Sequence, residues 1–469
     1  MLRWPAVAPP HGAPWAPWDF SSRPPFLELN FIFRMVLVCQ VPTRRYLSLI
    51  VAAACIAGCH QRPQQAAGES REICLADPDG SSPIDDAIRR AQAGARRLDN
   101  EPHSWTLVGQ GWVRKARVSG DPGFYINVRA CGEAAMAVAP GNRAALQLLG
   151  LSLMNDHRFA EARDVAREIL RREPDDTVAL GFLSDALLEL GDLAAAAAAA
   201  QRMVDLQPDM ASYSRAAYFR WLTGDAKTAR LFMQYALNGR DLQEREPAAW
   251  TFVQAATMYW HEGDYDGADA VFAEALKWVP DYPPALTGRA RVQMSLGRPA
   301  RAVEYLEKAY RIARLPETAW LLGDACEMLG DARKAKAAFD LVIREGRKMD
   351  RLTLALFLAT KNRDVDEALR LIEEERRTRG GVYVDDAYAW ALYRAGRLAE
   401  ARDRSDRALA WGTPDARLLY HAGVIRVAGG DERGRDLIRR AMRLNPGFDV
   451  TAAAEVSRML TDGSKDSVF

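Results

Sequence analysis

Strong charge of either sign is missing from this chain. Across 469 residues, 63 Lys and Arg stand against 62 Asp and Glu, a net charge of +1. That balance gives no global pull toward DNA, RNA or an acidic membrane face, and it argues against a nucleic-acid partner. Cysteine is also scarce: Cys39, Cys55, Cys59, Cys74, Cys131 and Cys326. No two form a C-x-x-C pair, so zinc and thioredoxin-like readings fail, and the spacing does not suggest a disulfide framework. Cys74 with Cys131 is conceivable, but nothing in the pattern singles it out. Catalytic signatures are missing too. No HExxH, GxSxG, Walker A or GxGxxG occurs. The six histidines are scattered. His157 and His261 fall near turns, and His421 falls on a buried helix face. A structural role is expected for each. No catalytic group, cofactor or metal site is expected.

Long apolar runs are absent as well. The most apolar stretch, Tyr46 to Ala57, is about a dozen residues, where a spanning helix needs roughly 18 to 20. It suits the apolar region of a signal peptide, with Arg44 and Arg45 as the basic lead. The quartet Ile56-Ala57-Gly58-Cys59 resembles the lipobox of bacterial lipoproteins. That resemblance implies a signal peptide over 35–58, removed so that Cys59 becomes the lipidated first residue. Residues 1–34 are rich in Pro and Trp without a period. They are read as an extension from a start assigned too far upstream, with Met35 as the true start. Residues 59–82 are polar and rich in Gln, Pro, Gly and Ser, and read as a flexible tether. His60 follows the lipid cysteine where Asp would favour inner-membrane retention. By resemblance the protein is therefore expected in the cell envelope, on the outer membrane's periplasmic face in a diderm cell.

What the chain does have is a repeat. The turns "LGDL" (190–193), "TGDA" (223–226), "EGDY" (262–265), "LGRP" (296–299), "LGDA" (329–332), "AGRL" (395–398) and "GGDE" (429–432) recur at steps near 33 or 34 residues. Within each unit apolar residues at i, i+3 and i+7 make a helix stripe. Small residues such as Gly150 and Ala162 stand where two helices cross. Pro174 and Pro280 end their units. Nine units start near 143, 177, 210, 249, 283, 316, 349, 382 and 415, and a looser tenth spans 102–142. This pattern resembles the tetratricopeptide repeat. The resemblance covers about three-quarters of the chain. It implies an all-α, right-handed α-solenoid of nine to ten helix-turn-helix units over 102–448. A capping helix is expected in 83–101, begun by Ser82-Pro83, and another in 449–469. The C-terminal strings "YVDDAYAWALYRAGRLAEARDRSDRALAWGTPDARLLYHAGVI" and "LNPGF" resemble uncharacterised, exported bacterial tetratricopeptide proteins. A pentatricopeptide RNA-binding reading has a similar period, but the Gly–Ala–Pro pattern and the charge balance count against it.

Solenoids present extended concave surfaces. The expected function is a non-enzymatic scaffold that binds peptides or helices of envelope proteins, tethered to the membrane through Cys59. The alternative is a constitutive structural subunit of a secretion, transport or assembly complex. In such arrays the second, fifth, ninth and twelfth residues of each unit, on its first helix, face the groove. These positions gather Tyr218, Trp221, Trp250, Trp260, Trp320, Phe357, Tyr383, Trp390 and Tyr393. An aromatic peptide groove over the third to eighth units is the expectation, with packing between first helices as the competing role for any single ring.

Overall fold

The structure, a computed structural model, describes residues 68–241, 245–449, 451–452, 456 and 459–460, all within the unit Ala67–Phe469. The readings for residues 1–34, 35–58 and Cys59 lie outside the described residues. So does most of the closing helix expected in 449–469, of which Ala452 and Val456 are described as buried.

The described chain is all-helical, and its helices run as packed antiparallel pairs, an α-solenoid. Helix α1 (Pro83–Arg97) precedes the pairs. The pairs follow as α2 (Pro102–Ser119) with α3 (Tyr125–Val138), α4 (Arg143–Asn155) with α5 (Phe159–Arg172), and α6 (Thr177–Glu189) with α7 (Leu193–Leu206). Then come α8 (Met210–Leu222) with α9 (Ala226–Asn238), α10 (Arg245–His261) with α11 (Tyr265–Trp278), and α12 (Pro283–Ser295) with α13 (Pro299–Ile312). The last are α14 (Pro316–Met328) with α15 (Ala332–Met349), α16 (Arg351–Thr360) with α17 (Val365–Glu375), α18 (Val382–Arg394) with α19 (Leu398–Leu409), and α20 (Ala416–Ala428) with α21 (Gly434–Leu444).

The recurring Gly-Asp turn has a local cause. Asp192, Asp225, Asp264 and Asp331 each cap the second helix of a unit, their carboxylates accepting from a first-turn backbone N–H. An Asp there satisfies a donor that the helix itself cannot reach. The preceding glycine adopts positive φ, +86° at Gly224, which lets the chain reverse in two residues. Small residues at the crossings are required by sterics. A Cβ on Gly150 would stand 2.8 Å from the Phe182 ring, and one on Gly288 or Gly323 would overlap Phe272 or Phe339.

Two segments depart from the sequence reading. Residues 68–82 are not a free tether. Residues 68–74 are helical, Cys74 is fully buried, and it is bonded to Cys131 of α3. The Trp112 indole and the Gln92 amide both donate to the Cys74 carbonyl. A polar composition hid the few side chains that dock. The fourth repeat also starts earlier than its expected position near 249. Helix α10 begins at Arg245, about a turn before the repeat start near 249, and Tyr282 donates to Glu246 at 2.7 Å.

The solenoid also closes on itself. Contacts between residues 185 to 191 apart join a within-unit turn to the between-unit loop five units further on. The Gly380 N–H donates to the Glu189 carbonyl at 2.7 Å. The Thr413 hydroxyl donates to the Leu222 carbonyl at 2.7 Å. The Asn445 amide donates to the Trp260 carbonyl at 2.7 Å. Successive coils of the superhelix therefore stack along a seam, and the first helices meet there.

Candidate functional site

The expected groove is carried by the first helices of the units, and the structure divides its nine aromatics. Trp221, Trp260, Phe357 and Trp390 are buried. Tyr218, Trp320, Tyr383 and Tyr393 are half-buried, and Trp250 stands exposed near the start of α10. An open aromatic trough is thus corrected to a mostly closed surface. Two kinds of packing close it.

One kind joins neighbouring units. Phe357 of α16 meets Trp320 of α14 edge-on at 5.5 Å and Phe339 of α15 at 5.3 Å. Trp390 of α18 stacks on His421 of α20 at 4.0 Å, and His421 bonds to Asp386 at 2.9 Å with both groups buried. Arg394 lies over Trp390, and Tyr393 packs against the same ring.

The other kind is the seam. His261 of α10 links it to the neighbour packing: Trp221, at the end of α8 in the preceding unit, packs on the imidazole at 4.8 Å, and Trp260 meets it at 5.0 Å. His261 faces Asp415, the cap of α20, across 3.8 Å. Burial lowers the His261 pKa to about 4; the Asp415 charge opposes this, while Arg291 and Arg417 add to it. The imidazole is therefore neutral near pH 7, and desolvation is the cause. The Trp260 indole donates to Ser295, whose hydroxyl donates to the Gly447 carbonyl. Tyr218 and Tyr383, some 160 residues apart in sequence, come near enough for desolvation and neighbouring negative charge to push both phenols up. A period of 33 or 34 residues cannot reveal which units meet one coil later. That is why the seam was missed. Its one sequence signal is composition: "GTPDA" (412–416) and "LNPGF" (444–448) are loops with unusual polar residues, and both dock on the neighbouring coil.

What remains accessible on the inner helices is a strip of tyrosine and arginine. Tyr218, Tyr383 and Trp320 keep part of their surface. Beside them lie Arg215, paired with Asp185, Arg291, paired with Glu317, and Arg417, over Tyr383 and near Asp386. Such a strip offers aromatic area and fixed charge of both signs. Among the described residues no group of three or more His, Cys, Asp or Glu could hold a metal ion. Among them no helix is long and apolar enough to cross a membrane.

With the helix pairs and the inner strip in place, the class of protein is clear. Three stretches, residues 148–211, 259–312 and 383–411, match family models described as tetratricopeptide repeat. The chain carries tetratricopeptide repeats over these stretches, and its fold is of the kind that serves protein–protein interaction. Among solved structures it is similar to a human IFIT1 dimer with PPP-AAAA, at 13% identity, 81% of this chain, 94% of that one and a TM-score of 0.44. It is similar to PilW, described as a widely conserved type IV pilus biogenesis factor, at 16% identity, 41% and 88% coverage and a TM-score of 0.36. A tetratricopeptide repeat protein from Parabacteroides merdae is 17% identical over 54% of this chain and 98% of its own, with a TM-score of 0.31. No curated protein matches the sequence.

Proposed function

We propose that the chain is a non-enzymatic scaffold that holds peptide or helical segments of envelope proteins against the inner strip. In this reading it is anchored in the bacterial envelope by a lipid on Cys59. The observation that carries the binding reading is the accessible strip of Tyr218, Tyr383 and Trp320 beside Arg215, Arg291 and Arg417. Aromatic rings bury much area for little lost entropy, and arginine pairs with carboxylates or carbonyls. The strip suits a segment that carries both apolar and acidic side chains. The envelope reading is supported by the lipobox-like quartet and by the Cys74–Cys131 bond, since disulfides persist in oxidising compartments.

Two experiments test the two halves separately. Tyr218→Ala with Tyr383→Ala should lose bound clients in a pull-down from solubilised membranes while helical content by circular dichroism stays intact. Trp278→Ala, on a second helix, serves as the control. Full client recovery in the double variant contradicts the binding reading. Cys59→Ser should move a folded protein from the membrane to the soluble fraction. A variant that still pellets at high salt, or wild-type protein without any acyl modification, contradicts the anchor.

A further inference from the structure

The first end of the solenoid carries a groove that the inner strip does not explain. It lies between α1 and α2, encloses about 600 Å³, and has a floor of small residues, Ala87, Ala91, Gly94 and Gly111. Helical spacing puts Ala87, Arg90, Ala91, Gly94, Arg97 and Leu98 on one face of α1, opposite buried Ile88, Gln92 and Ala95. The same spacing lines up His103, Leu107, Gly111, Arg114 and Val118 on α2. Leu98 is 59% exposed and Leu107 is 45% exposed, both on the groove wall. Arg90, Arg97 and Arg114 are exposed, and none of them makes an ion pair among the described residues. Most other exposed arginines of the array are paired within it, as Arg143, Arg158 and Arg397 are. Among the described residues Glu101 is the one carboxylate lining the groove.

Apolar side chains left in water amid unpaired arginines fit an anionic lipid surface. The leucines would enter the acyl boundary while the guanidinium groups meet phosphates. The position of the face agrees. The described residues start with the helical stretch 68–74, and Arg71 pairs with Asp99 beside Leu98. Eight residues separate Cys59 from residue 68, a reach of at most about 30 Å when fully extended. A lipid on Cys59 would therefore hold this end of the array close to the bilayer. The Cys74–Cys131 bond fixes the entering segment to α3 and keeps the spacer short.

We propose that the α1–α2 face is a membrane-docking surface for anionic phospholipid, the second of two membrane contacts, and that it orients the solenoid end-on to the bilayer. The proposal rests on the Cys59 anchor for its geometry, so its test is run without the lipid. The full chain carrying Cys59→Ser is floated with phosphatidylglycerol-containing vesicles and with phosphatidylcholine vesicles. Binding to the former should exceed binding to the latter and weaken as salt rises. In the same background, Arg90→Glu, Arg97→Glu and Arg114→Glu should each lower partitioning roughly five-fold. Leu98→Ser with Leu107→Ser should lower it by at least as much with charge unchanged. Vesicle binding untouched by both sets overturns the docking surface. So does an absence of binding to anionic vesicles, including the case in which the face variants instead lose a protein in a pull-down. The anchor is judged separately, from the mass of the N-terminal peptide of wild-type protein taken from membranes. A lipid-free peptide there ends the anchor reading without deciding the vesicle result.

Discussion

Asn445 is fully buried and has no idle polar atom. Its amide nitrogen donates to the Trp260 carbonyl, and its oxygen accepts from the Tyr265 hydroxyl and from the Gly447 N–H. Side chains so placed are hard to replace, because each partner left behind is buried without a mate. Asn445→Ala should cost about 3 kcal/mol in denaturant-induced unfolding, well above the usual surface change. A cost under about 0.5 kcal/mol would mean that the C-terminal loop does not dock. His261 gives a pH signature to the same region. Its folded pKa, about 4, lies below the ordinary 6.5, so between these values the unfolded chain binds the extra proton. Stability contributed by the neutral ring is complete above about pH 6.5 and is lost as pH falls toward 4. The groups facing it are Asp415, Arg291 and Arg417. His261→Gln should reduce the slope of stability against pH in that window by up to about one proton. An unchanged slope would show that the ring is solvated in the folded state.

At the scale of elements, the turn glycines supply an internal control. Gly224 and Gly330 hold the same place in their units, with φ of +86° and +75°. A Cβ on Gly224 would lie 2.8 Å from the Gly412 carbonyl oxygen on the next coil, while one on Gly330 meets nothing within 4 Å. Alanine at either position pays the left-handed backbone penalty, roughly 1 to 2 kcal/mol. Only Gly224→Ala should pay a further ~1 to 3 kcal/mol for overpacking. Equal costs in the two variants would place Gly224 in solvent, away from the seam. The disulfide belongs to this scale too. It closes a loop of 57 residues and should contribute about 4 kcal/mol to the N-terminal helices by chain entropy. Cys131→Ser should lower the first transition of α1 to α3 in guanidinium under oxidising conditions. No change would show that the docking of residues 68–74 is independent of the bond.

The whole molecule shows which scales the sequence exposes. Helix pairs, their small crossing residues and the Gly-Asp turns could be read directly, because each is fixed within one period of 33 or 34 residues. Trp221 and Trp260 read as groove residues because the helix stripe does not show that both pack on His261, which itself faces Asp415 a full coil away, and Tyr383 because its neighbour Tyr218 lies on that other coil. The helical segment 68–74 reads as a polar tether because its ties are few and far apart in sequence: the Cys74–Cys131 bond, Ser70 on Glu133, Arg71 on Asp99, and backbone carbonyls of residues 73 and 74. A solenoid with contacts only between neighbours has stability that sums unit by unit. Here the turns also meet loops five units on, so units two to nine should unfold more cooperatively than that sum predicts. Closure of one coil on the next is reported most directly by the Gly380 amide. It sits in a loop, and its partner in the structure is the Glu189 carbonyl. Native-state hydrogen exchange at Gly380 should show protection comparable to the amides inside α18. Exchange at the rate of a free loop, with α18 itself still protected, would contradict the closed superhelix.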